Sequence, residues 1–175
     1  MLDMTDKARI FATAAHMAVG QKRKHTGEDY IVHPTAVATT VGNFFSHRTS
    51  LFRDRHIAAA FLHDVVEDTH ITLDQIKDLF GREVHDIVEA LTDVPFVEGG
   101  PNRQARKAMD RDRLAQADAG TQTIKVADLI DNTKTIVEFD PKFAVVYLAE
   151  KALLLDVLTK ADPTLLAQAR SQIDG

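Results

Sequence analysis

Apolar side chains recur along this chain at the spacing of a helix face, and nowhere do they alternate with polar ones for the length of a strand. That pattern confines the chain to helices packed on helices. Residues 5–19 carry apolar positions at helical spacing. GEDYIVHP reads as a loop, and Pro34, whose missing N–H suits a first turn, opens a helix running through TAVATTVGNFF. A helix is expected over 54–68. Thr72 is placed to cap LDQIKDLF, and Gly81 separates that helix from REVHDIVEALTDV. After the loop PFVEGGPN, RQARKAMDRDRLAQAD reads as a charged helix and IKVADLIDNTKTIVEF as another, which Asp140-Pro141 ends. Residues 141–161 predict one long amphipathic helix, and Pro163 starts a short last one. No internal repeat, low-complexity linker or glycine-rich phosphate loop interrupts the series. The expected fold is all-α: a single compact helical bundle, one domain over residues 1–175.

A length of 175 residues is enough for one domain with its own core, and 45% apolar with 27% charged residues is ordinary for a soluble globular protein. With no cysteine there is no disulfide framework, no thiolate metal site and no thiol nucleophile. MLDMTDK lacks the basic stretch and apolar run of a signal peptide, and no apolar run approaches the roughly 20 residues that span a bilayer. A cytoplasmic protein without a membrane partner is expected. A net charge of −5 argues against a nucleic-acid partner, which calls for a basic surface. It leaves room for a small phosphorylated substrate, where local charge decides. The basic islands QKRKH (21–25) and RQARK (103–107), taken alone, read as solvated surface.

FLHDVVEDT (61–69) crowds His63, Asp64, Glu67 and Asp68 into an otherwise apolar segment. Charges are costly to bury unless paired or bound to metal. At about 100° per residue His63 neighbours Glu67 and Asp64 neighbours Asp68, and all four fall within an arc of about 140°. Either an amphipathic helix shows its polar side there, or the helix delivers metal ligands and an acid–base group into a pocket. Two further pieces stand out: His33 before Pro34, and Asp128 with Asn132 one turn on. Asp128, Asn132 and Thr135 lie within about 60° of each other on a helix, with Lys125, Leu129 and Ile130 pointing elsewhere. Each piece has a plain reading by itself. His33 marks a helix start, His63-Asp64 lies on the surface, and Asp128 caps a helix or pairs with a lysine. His16, His47, His56, His70 and His85 show no partner pattern and read as surface or core histidines. Together His33, His63, Asp64 and Asp128 make a two-histidine, two-carboxylate set suited to Mn²⁺, Fe²⁺ or Mg²⁺ rather than structural zinc. Four protein ligands on an octahedral ion leave positions for water and substrate.

The motifs KHTGEDYIVHP (24–34), AAAFLHDVVEDT (58–69) and IKVADLIDNTKT (124–135), in that order and spacing, resemble the HD-domain superfamily of metal-dependent phosphohydrolases. More closely they resemble the hydrolase domain of RelA/SpoT-type alarmone enzymes and its stand-alone form, the small alarmone hydrolases. The likeness covers residues 8–140, and the later helices carry no assigned motif. The resemblance implies that His33, His63, Asp64 and Asp128 hold one ion, usually Mn²⁺. It implies that Glu67 and Asp68 orient and activate the attacking water, with Glu67 one turn beyond His63, where a general base is needed. Asn132 and Thr135 match nucleotide contacts, and Lys24, His25 and Thr26 match a basic loop that meets the purine and its phosphates. The implied substrate is a purine nucleotide alarmone. The implied reaction removes the 3′-pyrophosphate of ppGpp or pppGpp, giving GDP or GTP and pyrophosphate, in a chain with no synthetase or regulatory domain beside the hydrolase.

The chain departs from the family at Asp29, commonly Pro, and at Lys24, commonly Arg. A guanidinium stacks on a purine better than an ammonium does, so Arg23 is the neighbour that could serve instead. Leu129-Ile130-Asp131-Asn132 stands where long bifunctional enzymes tend to have Arg-Leu-His-Asn; the ligand Asp128 and Asn132 are intact, and the difference bears on substrate preference. Adenosine alarmones (ppApp, pppApp) stay open as further substrates. The alternatives are another HD-type nucleotide phosphohydrolase, such as a nucleotidase or an NADPH 2′-phosphatase, and a catalytically idle helical regulatory module. The oligomeric state stays open too, since helix 141–161 can pack internally or on a second subunit.

Overall fold

The computed structural model describes residues 2–174. Ten helices and no strand occur among the described residues, so the all-α expectation holds. They fall into two compact units, one ending at Glu89 and the other beginning at Ala90.

In the first unit, α1 (Met4–Ala18) starts behind Asp3, whose carboxylate accepts the Asp6 N–H at 2.8 Å. α2 (Val32–Phe44) carries Pro34 in its first turn, as expected. α3 (Ser50–Leu62) packs against both α1 and α2. Its run Ala58-Ala59-Ala60 is wholly buried, and small side chains let helices approach closely. Gly42 serves the same end, since a Cβ there would stand 3.2 Å from Ile57 Cδ1.

The helix expected over 54–68 is in fact two. α3 begins earlier, behind the N-cap Thr49, and stops at Leu62; α4 (Val65–Asp68) is a single turn. Between them His63 and Asp64 form a turn, with Asp64 at φ −97° and ψ −6°. The His63 ring sits 2.7 Å from the Ala60 carbonyl through Nδ1, meeting an acceptor in the last turn of α3. α5 (Leu73–Phe80) opens on a capping box between Thr72 and Gln75, and ends at Gly81, whose φ of +86° suits glycine. α6 (Arg82–Leu91) follows.

In the second unit, α7 (Arg103–Gln116) and α8 (Ala119–Phe139) are capped by Asn102 and Asp118. α8 packs against α7, α9 (Pro141–Leu155) and α10 (Pro163–Asp174), and so forms the centre of this unit. It starts five residues before the expected Ile124. The extra turn holds buried polar side chains that find partners: Thr123 Oγ1 donates to the Ala119 carbonyl at 2.6 Å and Gln122 Nε2 to the Leu114 carbonyl at 2.9 Å.

α9 stops at Leu155, not 161, because tertiary contacts capture the chain beyond it. Lys160 N–H donates to Gln122 Oε1 at 2.8 Å and Asp162 N–H to Thr123 Oγ1 at 3.0 Å. Arg170 closes the helix by donating to the Leu155 carbonyl at 3.0 Å. Nor does α9 show the expected apolar stripe. Ala144, Lys151 and Leu155 are its buried residues, while Val145, Val146 and Leu153 are exposed. Among the described residues no helix is long and apolar enough to cross a membrane.

Candidate active site

His33, from the first turn of α2, and His63 and Asp64, from the break after α3, converge in the first unit. The two Nε2 atoms are 3.3 Å apart, and Asp64 Oδ2 lies 3.5 Å from His33 Nε2 and 3.1 Å from His63 Nε2. His33 and His63 are buried. With His63 Nδ1 turned to a carbonyl, that nitrogen carries the proton and Nε2 offers its lone pair. Two imidazole nitrogens and a carboxylate oxygen then share a space where water is scarce, which is the donor set a divalent cation takes. Tyr30 Oη donates to Asp64 Oδ2, the same oxygen that faces the two histidines, at 2.6 Å and holds that carboxylate in place.

Glu67 and Asp68 stand on α4, directly after these groups. Desolvation and the negative charge of Asp64 raise the Asp68 carboxyl above its usual range. Gln21 Nε2 donates to Asp68 Oδ2 at 2.7 Å, while Gln21 Oε1 lies 2.6 Å from His16 Nδ1. A carboxylate accepts only, so the Gln21 amide must face Asp68 with its NH₂ and His16 with its oxygen. His16 is therefore a buried imidazole that orients the partner of Asp68, not the plain core histidine read from sequence. The clue lay five residues away at Gln21, which no helical spacing picks out.

The second unit holds an open-mouthed cavity of about 240 Å³ lined in part by Asp128 and Asn132. Asn132 Nδ2 donates to Asp128 Oδ1 at 2.6 Å. Lys125 does not point elsewhere, as the helical arithmetic had it: its Nζ lies 3.0 Å from Asp128 Oδ2, and with Leu129 it lines the same cavity. Nor is the island 103–107 plain surface, for Arg103 and Lys107 line the cavity too. Arg103 holds Glu150 with two bonds of 2.7 and 2.8 Å, and Lys107 pairs with Asp93. Burial would raise the Asp93 carboxyl, but the charges of Lys125 and Lys107 outweigh it and hold that group low. The wall is completed by apolar side chains that include Ile136, Phe143 and Leu154. Thr135 is not on this wall; its hydroxyl donates to the Asn132 carbonyl at 3.3 Å.

Arg23, Lys24, His25 and Thr26 lie in the loop between α1 and α2, closed by the Lys22–Asp29 bridge and by Arg23 N–H on the Glu28 carbonyl at 2.9 Å. Thr26 donates to Glu28 Oε2 at 2.8 Å. His56 is a core histidine stacked on Phe52, as expected, and His47 and His70 are exposed. On α6, His85, Asp86 and Glu89 come within 4.8 Å of one another, but His85 Nδ1 is already held by Asp86 at 2.8 Å on the helix surface.

Comparison with known proteins places a family name on this arrangement. The HD domain model matches residues 8–172, and the chain belongs to the HD-domain family. It is 31% identical over 140 residues to human guanosine-3′,5′-bis(diphosphate) 3′-pyrophosphohydrolase MESH1, covering 78% of this chain and 71% of that protein. It is 36% identical over 138 residues to a probable guanosine-3′,5′-bis(diphosphate) 3′-pyrophosphohydrolase of Synechocystis, covering 78% of this chain but spanning only 17% of that much longer protein. Its fold matches, with a TM-score of 0.84 and 23% identity over 99% of this chain and 96% of the other, a structure described as a metazoan ortholog of SpoT that hydrolyzes ppGpp and plays a role in starvation responses.

Proposed function

We propose that this protein is a divalent-metal-dependent pyrophosphohydrolase that removes the 3′-pyrophosphate of ppGpp and pppGpp, with Mn²⁺ as its metal. The group His33, His63 and Asp64 carries the reading, and the naming of its relatives supports it. Those three residues would hold the ion, and Asp128 is proposed as a further ligand on the strength of its motif. A bound ion supplies Lewis-acid polarisation of a phosphoryl oxygen. Glu67, seconded by Asp68, takes a proton from the attacking water. The oxygen of that water bonds to the phosphorus on the 3′-oxygen. The bond from that phosphorus to the 3′-oxygen breaks, and the 3′-oxygen keeps the electron pair and gains a proton. GDP or GTP and pyrophosphate leave. Tyr30 steadies Asp64, and Gln21 steadies Asp68. Asn132, Thr135 and the loop residues Arg23, Lys24, His25 and Thr26 are proposed nucleotide contacts.

The test is a product assay on ppGpp, with ppApp and NADPH in parallel, in Mn²⁺ or in EDTA. GDP plus pyrophosphate only with metal is the expected result. Phosphate released from NADPH, with the alarmones untouched, would move the assignment to a 2′-phosphatase. Glu67→Gln should lose at least 100-fold in turnover, an order-of-magnitude figure for removing a general base, yet retain metal. Asp128→Ala should lose both.

A further inference from the structure

Lys151, on α9, is 1% exposed and lines the cavity of the second unit. Its Nζ donates to Thr133 Oγ1 at 2.8 Å and to Gln172 Oε1 at 2.7 Å. Both acceptors are neutral, and an ammonium has a third N–H to place. The carboxylates of the cavity wall are committed to other cations. Asp93 pairs with Lys107, Asp110 with Arg113 at 2.8 Å, Asp128 with Lys125 at 3.0 Å, and Glu150 with Arg103 at 2.7 Å. Burial alone pushes the Lys151 amine down to about 8, with no carboxylate among the described residues beside it to push back. Arg111, one turn beyond Lys107 on α7, lines the same cavity and makes no ion pair among the described residues.

A buried ammonium without a counter-charge is costly to keep, and a ligand that brings the charge recovers that cost. We propose that Lys151 and Arg111 form an anion-binding wall that accepts a doubly charged tetrahedral oxyanion, a phosphate group of the ligand. The identification with an alarmone phosphate rests on the function proposed above; the anion site itself does not.

Sulfate tests the site apart from the reaction, because it exchanges no proton near pH 8. Protein labelled with ¹³C at lysine is titrated with base, and the Lys151 Cε resonance, identified by its loss in Lys151→Met, is followed with and without sulfate. Proton and anion binding are reciprocally linked, so saturating sulfate should raise the midpoint by about one unit, tenfold in proton affinity. An unmoved midpoint in the wild-type protein overturns the proposal whatever the variant does. Arg111→Gln, at a half-buried position, should weaken sulfate binding several-fold; unchanged affinity removes Arg111 from the site. In steady-state assays on ppGpp, Lys151→Met should raise KM more than it lowers kcat, and an unchanged KM overturns the identification of its ligand with an alarmone phosphate. A midpoint that moves in a protein that leaves ppGpp intact would keep the anion site and discard the reaction. Normal hydrolysis with an unmoved midpoint would do the reverse.

Discussion

His33 and His63, both buried, bring two ring nitrogens within 3.3 Å. Two ring nitrogens and a carboxylate oxygen gathered this closely make half of a coordination shell. Tyr30 is the outer partner of that shell through its 2.6 Å bond to Asp64. Removing such a partner typically weakens a metal site about 10- to 100-fold. Tyr30→Phe should therefore bind Mn²⁺ at least tenfold more weakly by competition with a chelating dye, with the helix content unchanged; equal affinity would show that Asp64 needs no anchor. The triad was legible in the sequence because its members sit beside the punctuation of the motif, at His33-Pro34 and His63-Asp64. Lys125 was not, because an angle drawn at the Cα ignores the reach of a long side chain, which can bend its tip toward a neighbour three residues on. Arg103 and Lys107 were missed for a related reason: a charge run looks the same in sequence whether it meets solvent or a cavity.

Helix starts marked by a cap or a proline, at Thr72, Pro34 and Pro163, were readable from one or two residues. Thr72 accepts the Gln75 N–H at 3.3 Å while Gln75 Oε1 accepts the Thr72 N–H at 2.9 Å. Thr72→Ala should cost about 1 kcal/mol, measured as a lowered urea midpoint with an unchanged slope. Helix ends written in tertiary contacts were not readable. No proline or glycine marks the stop after Leu62 or Leu155. The first follows the turn at His63-Asp64, and the second yields to Gln122, Thr123 and Arg170 reaching in from other helices. The early start of α8 was hidden by AGTQT, which has weak helix propensity and is helical because its polar groups are satisfied in place.

At the scale of the whole chain, the absence of strand alternation sufficed for the all-α class. What it could not supply was the buried charge that makes stability depend on pH. Lys151 titrates near 10.4 in an unfolded chain and at about 8 in the folded one. Between those values the unfolded chain binds more protons, so the contribution of this group to stability rises with pH through that window and is flat below it. The urea midpoint of the wild-type protein should climb from pH 8 to pH 10 relative to Lys151→Met; parallel profiles would mean that the amine keeps its ordinary proton affinity. Asp140 ends α8 with its N–H on the Ile136 carbonyl at 2.9 Å and starts α9 with its carboxylate on the Phe143 N–H at 3.2 Å. One residue thus secures two helices, which matters to anyone wishing to cut or extend the chain. A new terminus or a grafted tag at 140–141 would strip both helix ends at once, whereas the exposed turn at 98–100 offers no such double anchorage and is the place to attach a fluorophore.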